Sequence, residues 1–244
     1  MKYTPNALAG GKSEFVRKGF KVVAITALLL TGTIVADAKP SQECNWYLSA
    51  GAQGIVGANG SGPDVDFGNQ VVVNGSSRYD GDHAVNLAVG REFMVCNEKG
   101  RPVHLRLELQ YLDGIVGRNS VNIGVVNPRL DDKVDIRALF LNGFIRIART
   151  DHFRLWFGPG IGYSWTDFPD ASYATACGCL KPAKSDGLAF QVKLQGERMV
   201  SEKTSIFGEM GYANFKGAGS GGVPSARYGD IGMVTIGLGI ITQL

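Results

Sequence analysis

The stretch VHLRLELQYLDG (Val103–Gly114) alternates apolar and polar residues almost without interruption. Val103, Leu105, Leu107, Leu109 and Tyr111 fall on one side; His104, Arg106, Glu108 and Gln110 fall on the other. A period of two marks an extended strand with one apolar and one polar face. In a water-soluble sandwich the apolar face turns inward, and in a membrane barrel it turns out to lipid. The fold depends on which of these holds.

The first residues bear on that choice. Residues 1–21 carry five basic side chains and one acid, Glu14. An apolar run from Val22 to Val35 follows, then Ala36-Asp37-Ala38. Basic region, short apolar core and A-x-A site predict a secretory signal over residues 1–38, cleaved after Ala38. The run has 14 residues, short of the roughly 20 that a spanning helix needs. The whole chain has 25 Lys+Arg against 22 Asp+Glu; the leader removes five and two of these, leaving 20 of each. The remainder makes no electrostatic case for nucleic acid as a partner. No later apolar run reaches helix-spanning length, so a membrane crossing after residue 38 requires a closed sheet.

Seven further segments fit the opening template: Trp46–Gly54, His83–Phe93, Asp135–Ile147, Phe153–Trp165, Leu188–Met199, Thr204–Phe215 and Asp230–Leu244. Asp135–Ile147 is the least regular, being apolar on both faces apart from Arg137, Asn142 and Arg146. Each of the eight strands is near the roughly 10 residues that cross a bilayer at a tilt. Their connections sort by parity. Odd strands are followed by long polar stretches, Ile55–Asp82, Leu112–Val134, Thr166–Gly187 and Lys216–Gly229, and even strands by short ones. Short periplasmic turns and long outer loops are the asymmetry of outer-membrane barrels, whereas a soluble sandwich has no reason to sort its loops this way. Trp46, Phe93 and Phe153 sit at short-turn ends, and Tyr111, Tyr163, Trp165 and Tyr212 toward long-loop ends, as interfacial girdles do. Arg91 and Arg198 fall on the apolar side close to short turns, where their head groups can snorkel to the interface. The prediction is an all-β chain: an eight-stranded antiparallel up-and-down transmembrane β-barrel over residues 39–244.

The leader, the WYLSAGAQG start (Trp46–Gly54), AVNLAVGREF (Ala84–Phe93) and FGPGIGYSW (Phe157–Trp165) resemble the eight-stranded outer-membrane barrels of the opacity-protein and OmpA-transmembrane-domain class. The resemblance implies a bacterial outer-membrane location. Two departures stand out. The chain ends in Leu244 where that class ends in an aromatic, though Leu244 keeps the lipid-facing register. Pro159 lies inside a strand, where it removes a ladder hydrogen bond, and Gly158 and Gly160 beside it suggest a bulge.

The inward charged residues are Glu92, Arg106, Glu108, Arg146, Arg154, Lys193, Glu197 and Glu209, four of each sign. An eight-stranded barrel is just wide enough for side chains to fill. Balanced charges in that space should pair into a self-neutralising plug, since an isolated buried charge is costly. The alternative is a narrow polar channel that opens when the network rearranges.

Among the cysteines, Cys44 and Cys96 flank adjacent strands on the short-turn side and form one candidate disulfide. Cys177 and Cys179 form C-G-C in the third long loop, where a small disulfide, a soft-metal site or a link to another chain are the options; no histidine lies nearby to complete a zinc site. Catalysis finds little support. Lipid A-modifying barrels of this size need a histidine paired with an activated serine, and His83, His104 and His152 offer no such constellation. No cofactor motif occurs. Function is therefore expected in the long loops, as a recognition rim for lipopolysaccharide, host surfaces or envelope proteins on a monomeric barrel. NQVVVNG (Asn69–Gly75) should extend the strands upward and SVNIGVV (Ser120–Val126) should pair with it.

Overall fold

A computed structural model of the chain describes residues 45–244 except 70, 97–101, 126 and 176–177, together with the side chains of these residues other than that of 173. The leader, Cys44 and Cys177 lie outside the described residues. Eight long strands form the wall: β1 (Asn45–Ser61), β2 (His83–Cys96), β3 (Pro102–Ile123), β4 (Arg129–Arg149), β5 (Phe153–Phe168), β6 (Ala183–Met199), β7 (Thr204–Phe215) and β8 (Ile231–Gln243). Each pairs antiparallel with its sequence neighbour, from Trp46 opposite Arg91 through Tyr212 opposite Val234. β8 returns to β1, with Tyr47 opposite Gln243 and Gly60 opposite Ile231, which closes the ring. Closure leaves no edge within the ring for another chain to pair with.

The opening stretch settles its own question. Leu107 is 36% exposed, whereas Arg106 and Glu108 on either side of it are each 2% exposed. Leu48, Leu87, Leu141, Ile145, Phe157, Ile161, Phe190, Ile206, Ile236 and Leu238 are likewise exposed, so the wall presents an apolar band outward. Such a surface is stable only against lipid. Phe153, Tyr163, Trp165 and Tyr212 are on this outer side, and Arg91 lies over the Trp46 ring at 5.5 Å.

Six of the eight strands are longer than predicted, up to 22 residues in β3, while β7 keeps its predicted 12 residues and β8 is shorter by one residue at each end. Much of what reads as long loop in the sequence is strand: β3 continues through Val116 to Ile123, and β4 starts at Arg129 rather than Asp135. The reason is a change of phase. Up to Gln110 the inward side of β3 is polar; above it the inward side is Leu112 and Val116 and, past a bulge between Arg118 and Ser120, Val121 and Ile123. On β4 the buried residues Leu130, Val134, Ile136, Ala138 and Phe140 alternate with outward Asp131, Lys133, Asp135 and Arg137. Above the membrane the wall is therefore built like a soluble protein, apolar within and polar without. Each of its fully buried large side chains contributes about 1.5–3 kcal/mol.

The loop pairing differs from expectation as well. SVNIGVV supplies the end of β3, but its partner is Gly75–Asp80, with Ser77 opposite Val121. That segment fills the slot between β1 and β3 above the start of β2, where Ile55 donates its N–H to the Asp82 carbonyl. Val72–Val73, from NQVVVNG, instead pairs with Asp64–Asp66, which also pairs with Ser225–Arg227. This small three-stranded sheet joins the first and fourth outer connections.

Pro159 produces no bulge. It stays in register opposite Val192 of β6. Pairing with β4 lapses between Asn142–Gly160 and Ile145–Phe157 and resumes in the same register. A missing N–H accounts for a gap of that kind without any shift. Leu244 is exposed on the outer surface and donates its N–H to the Trp46 carbonyl, tying the C-terminus to β1.

Candidate functional site

The bore of the barrel holds all eight predicted charges, in two tiers. In the lower tier Glu92 faces Arg154 at 3.3 Å, Arg106 at 3.6 Å, Arg146 at 3.9 Å and the His104 ring at 3.9 Å. Glu197 takes a hydrogen bond from Arg106 at 2.5 Å and lies 3.8 Å from Arg154 Nε. In the tier above, Lys193 sits between two carboxylates, 2.9 Å from Glu209 and 3.9 Å from Glu108. Glu209 also accepts from Gln53 and Asn86, and Glu108 from Tyr47 and Asn142. Gln110, Asn142 and Gln191 complete the tier with mutual hydrogen bonds of 2.6–2.9 Å. Each carboxylate thus has a cation and polar donors near it, which is what makes burial of charge tolerable.

Aromatic rings occupy the remaining space. Arg106 lies between the Tyr47 ring at 4.7 Å and the Trp156 ring at 4.1 Å, and Lys193 stands 5.8 Å from the Phe144 ring. Glycines make room for these rings. Tyr47 crosses Gly90 of β2 to reach Glu108 of β3, and any Cβ on Gly90 would strike its ring. A Cβ on Gly158 or Gly162 would meet the rings of Phe144 or Phe140 at 2.6 Å. A cavity of about 10 Å³ lies beside Gln53, Gln191, Lys193 and Glu209, room for a single water.

Above the polar tiers the apolar core seals the bore. Phe140 meets Phe215 edge-on at 6.1 Å, and Phe168 stacks on Tyr228 at 4.3 Å. Within this cap Arg118 of β3 makes a two-point ion pair with Asp132 of β4, its guanidinium 5.2 Å from the Tyr228 ring and 5.9 Å from that of Phe168. The fourth outer connection, through Tyr228, is thereby held down into the mouth.

Sequence reading placed the eight charges on the inward face but missed Tyr47, Phe144, Trp156 and Phe207 as bore-filling groups, and Arg118 and Asp132 as the cap pair. The signal for the first four was present, since each shares its strand face with an inward polar residue. Of the histidines, His83 is exposed with Nδ1 2.6 Å from Asp82, His104 faces Glu92, and His152 is exposed in the β4–β5 turn. Cys96 is an exposed, free thiol, and Cys44, its candidate partner, lies outside the described residues. The β1–β2 pairing ends with Asn45 opposite Glu92, and Cys96 lies four residues further along β2. Cys179, within the third outer connection, is buried.

No protein-family profile and no curated sequence matches the chain. Solved structures do. The outer membrane protein OprG from Pseudomonas aeruginosa shares 16% identity over 85% of this chain and 99% of its own, with a TM-score of 0.52. The outer membrane protein AlkL (16% identity, 87% of this chain and 96% of its own, TM-score 0.46) and Neisserial surface protein A (9%, 82% and 97%, TM-score 0.44) are similar too. At such identities the likeness is one of architecture. The chain has the fold of the eight-stranded outer-membrane β-barrels.

Proposed function

We propose that the chain is a bacterial outer-membrane surface protein whose barrel is a closed pedestal and whose outer rim carries out recognition. The observation that carries this reading is the filled bore: two tiers of paired charges and rings below, an apolar core above, and a cavity of about 10 Å³ between them. A solute would have to displace both fillings to pass. Residues 1–38 act as an export signal removed after Ala38, and mature N-terminal sequencing checks that cut. Lipid and lipopolysaccharide surround a monomeric barrel, and the rim meets envelope or host molecules without catalysis. Cys177 and Cys179, separated by Gly178 at φ +56°, close a small disulfide that stiffens the third outer connection. The test is planar-bilayer conductance of folded, heat-modifiable protein. Silence supports the pedestal; stable unitary steps that change with Glu108→Gln or Lys193→Gln refute it in favour of a channel through the charge network.

A further inference from the structure

The top of the rim carries apolar side chains that neither lipid nor the fold covers. Val71, Val72, Val125 and Val223 are 52%, 56%, 103% and 68% exposed, and Phe67 is 38% exposed. They come from three different outer connections yet lie together. Phe67 and Val71 flank a turn closed by the Phe67 N–H to the Val71 carbonyl at 3.0 Å. A Cβ on Gly68 in that turn would lie 3.3 Å from Val223, and one on Gly124 would lie 3.4 Å from Val73, next to Val125. The patch sits on an edge. In the three-stranded rim sheet Val72–Val73 is the terminal strand, paired on one side with Asp64–Asp66. An exposed apolar edge is a template for strand addition: backbone groups give affinity, and alternate side chains give specificity.

Charge decides what class of partner fits. The four outer connections, Ile55–Asp82, Leu112–Val134, Thr166–Gly187 and Lys216–Gly229, carry ten acidic against eight basic side chains. Arg118, Lys133 and Lys184 are already in ion pairs with Asp132, Asp82 and Asp167. Arg227 stands opposite Asp64 across the rim sheet. Half of the eight basic side chains thus stand against an acidic neighbour, which weakens the rim as a surface for a sulfated or phosphorylated polyanion. The small acidic surplus suits a neutral or cationic partner.

We infer that the rim binds an extended polypeptide segment of another protein, which adds as a strand to Val72–Val73 and lays alternate apolar side chains on the patch. This rests on the rim being the working surface.

The test uses the full mature chain in lipid nanodiscs and a dye-labelled heptapeptide alternating lysine and valine, followed by fluorescence anisotropy. Saturable binding is expected, persisting at 1 M salt where surface charge is screened to about 3 Å. The Val72→Asp/Val125→Asp variant, on exposed positions and verified as folded by heat-modifiable mobility, should bind about tenfold more weakly or worse. A peptide with proline at its centre should lose binding to the same extent, because proline lacks the N–H that a strand partner donates. Equal binding by the variant or by the proline peptide overturns the inference. Binding of a heparin fragment in place of the peptide reassigns the rim to a polyanion and overturns it too. Clustering of proteoliposomes without peptide, abolished in the variant, makes the partner a second copy and likewise overturns it. Conductance of the same preparation separates the two readings. Unitary steps refute the closed pedestal itself, whereas a silent barrel that ignores the peptide refutes the strand partner alone.

Discussion

Arg106→Met removes the hub of the lower tier. Its guanidinium bonds Glu197 at 2.5 Å and Gln195 at 2.9 Å, lies 3.6 Å from Glu92, and is clasped by the Tyr47 and Trp156 rings. Breaking one side of a buried pair costs about 3–5 kcal/mol. Here Arg154 remains 3.8 Å from Glu197, which puts this part at the lower end, about 3 kcal/mol. Loss of two ring contacts adds about 1 kcal/mol, for a total near 4 kcal/mol. Glu197→Gln alone should cost about 3 kcal/mol, while the double variant, with no orphaned carboxylate, should cost less than the two together by about 2 kcal/mol. Urea unfolding in phospholipid vesicles, followed by tryptophan fluorescence, reads all three, with Trp156 reporting directly from beside Arg106. A loss below about 1 kcal/mol for Arg106→Met, or strict additivity in the double variant, would mean that the tier is solvated and the bore is not a sealed plug.

Three further outcomes follow from the same geometry. Leu141→Arg, in mid-wall opposite Ile161, should destabilise by about 2–4 kcal/mol, whereas Arg91→Leu beside the short turn should change stability by less than about 1 kcal/mol; vesicle unfolding compares them. Gly90→Leu should push the Tyr47 ring off Glu108 and lower the yield of folded protein on unheated gels, and Tyr47→Ala in the same chain should restore it. Burial raises the phenols of Tyr79 and Tyr228 in the outer cap. Their neutral forms are favoured by the folded rim, so their contribution is intact below the ordinary phenol value near 10 and is lost as pH climbs past it. Trypsin should then cut after Lys216 and Arg227 faster above about pH 10, with the membrane-embedded strands still protected; an unchanged cutting rate would place those phenols outside any cap.

The membrane half of the fold is plain in the sequence because lipid and a charged bore impose opposite demands on alternate residues, as from Val103 to Tyr111. The outer half is obscured by the phase change. In β4 the residues Val134, Ile136, Ala138 and Phe140 turn inward while Leu139 and Leu141 face out, so both faces look apolar and the alternation seems to fail. The eight bore charges could be picked out because charge on a strand face is conspicuous. Phe144 and Phe207 left a fainter signal, since an apolar residue on the polar face resembles an interruption until the ring and the glycines beneath it are seen together, and Trp156 until its place against Arg106 is seen. The patch at Val72, Val125 and Val223 depends on contacts between separate connections, and no single segment carries it.

The reversal of polarity along β3 and β4 also fixes how the barrel floats. Just below it Tyr111, Leu139 and Tyr163 face hydrocarbon; just above it Asp113, Asp135, Arg137 and Asp186 face water. Sinking by one residue pair would draw those four charges into the edge of the hydrocarbon at up to about 1 kcal/mol apiece, more with each further step, and rising would strand the aromatic belt in water. The strands thus carry their own waterline. A bilayer of unmatched thickness has to thin or swell around the wall, because sliding along it is the costlier response.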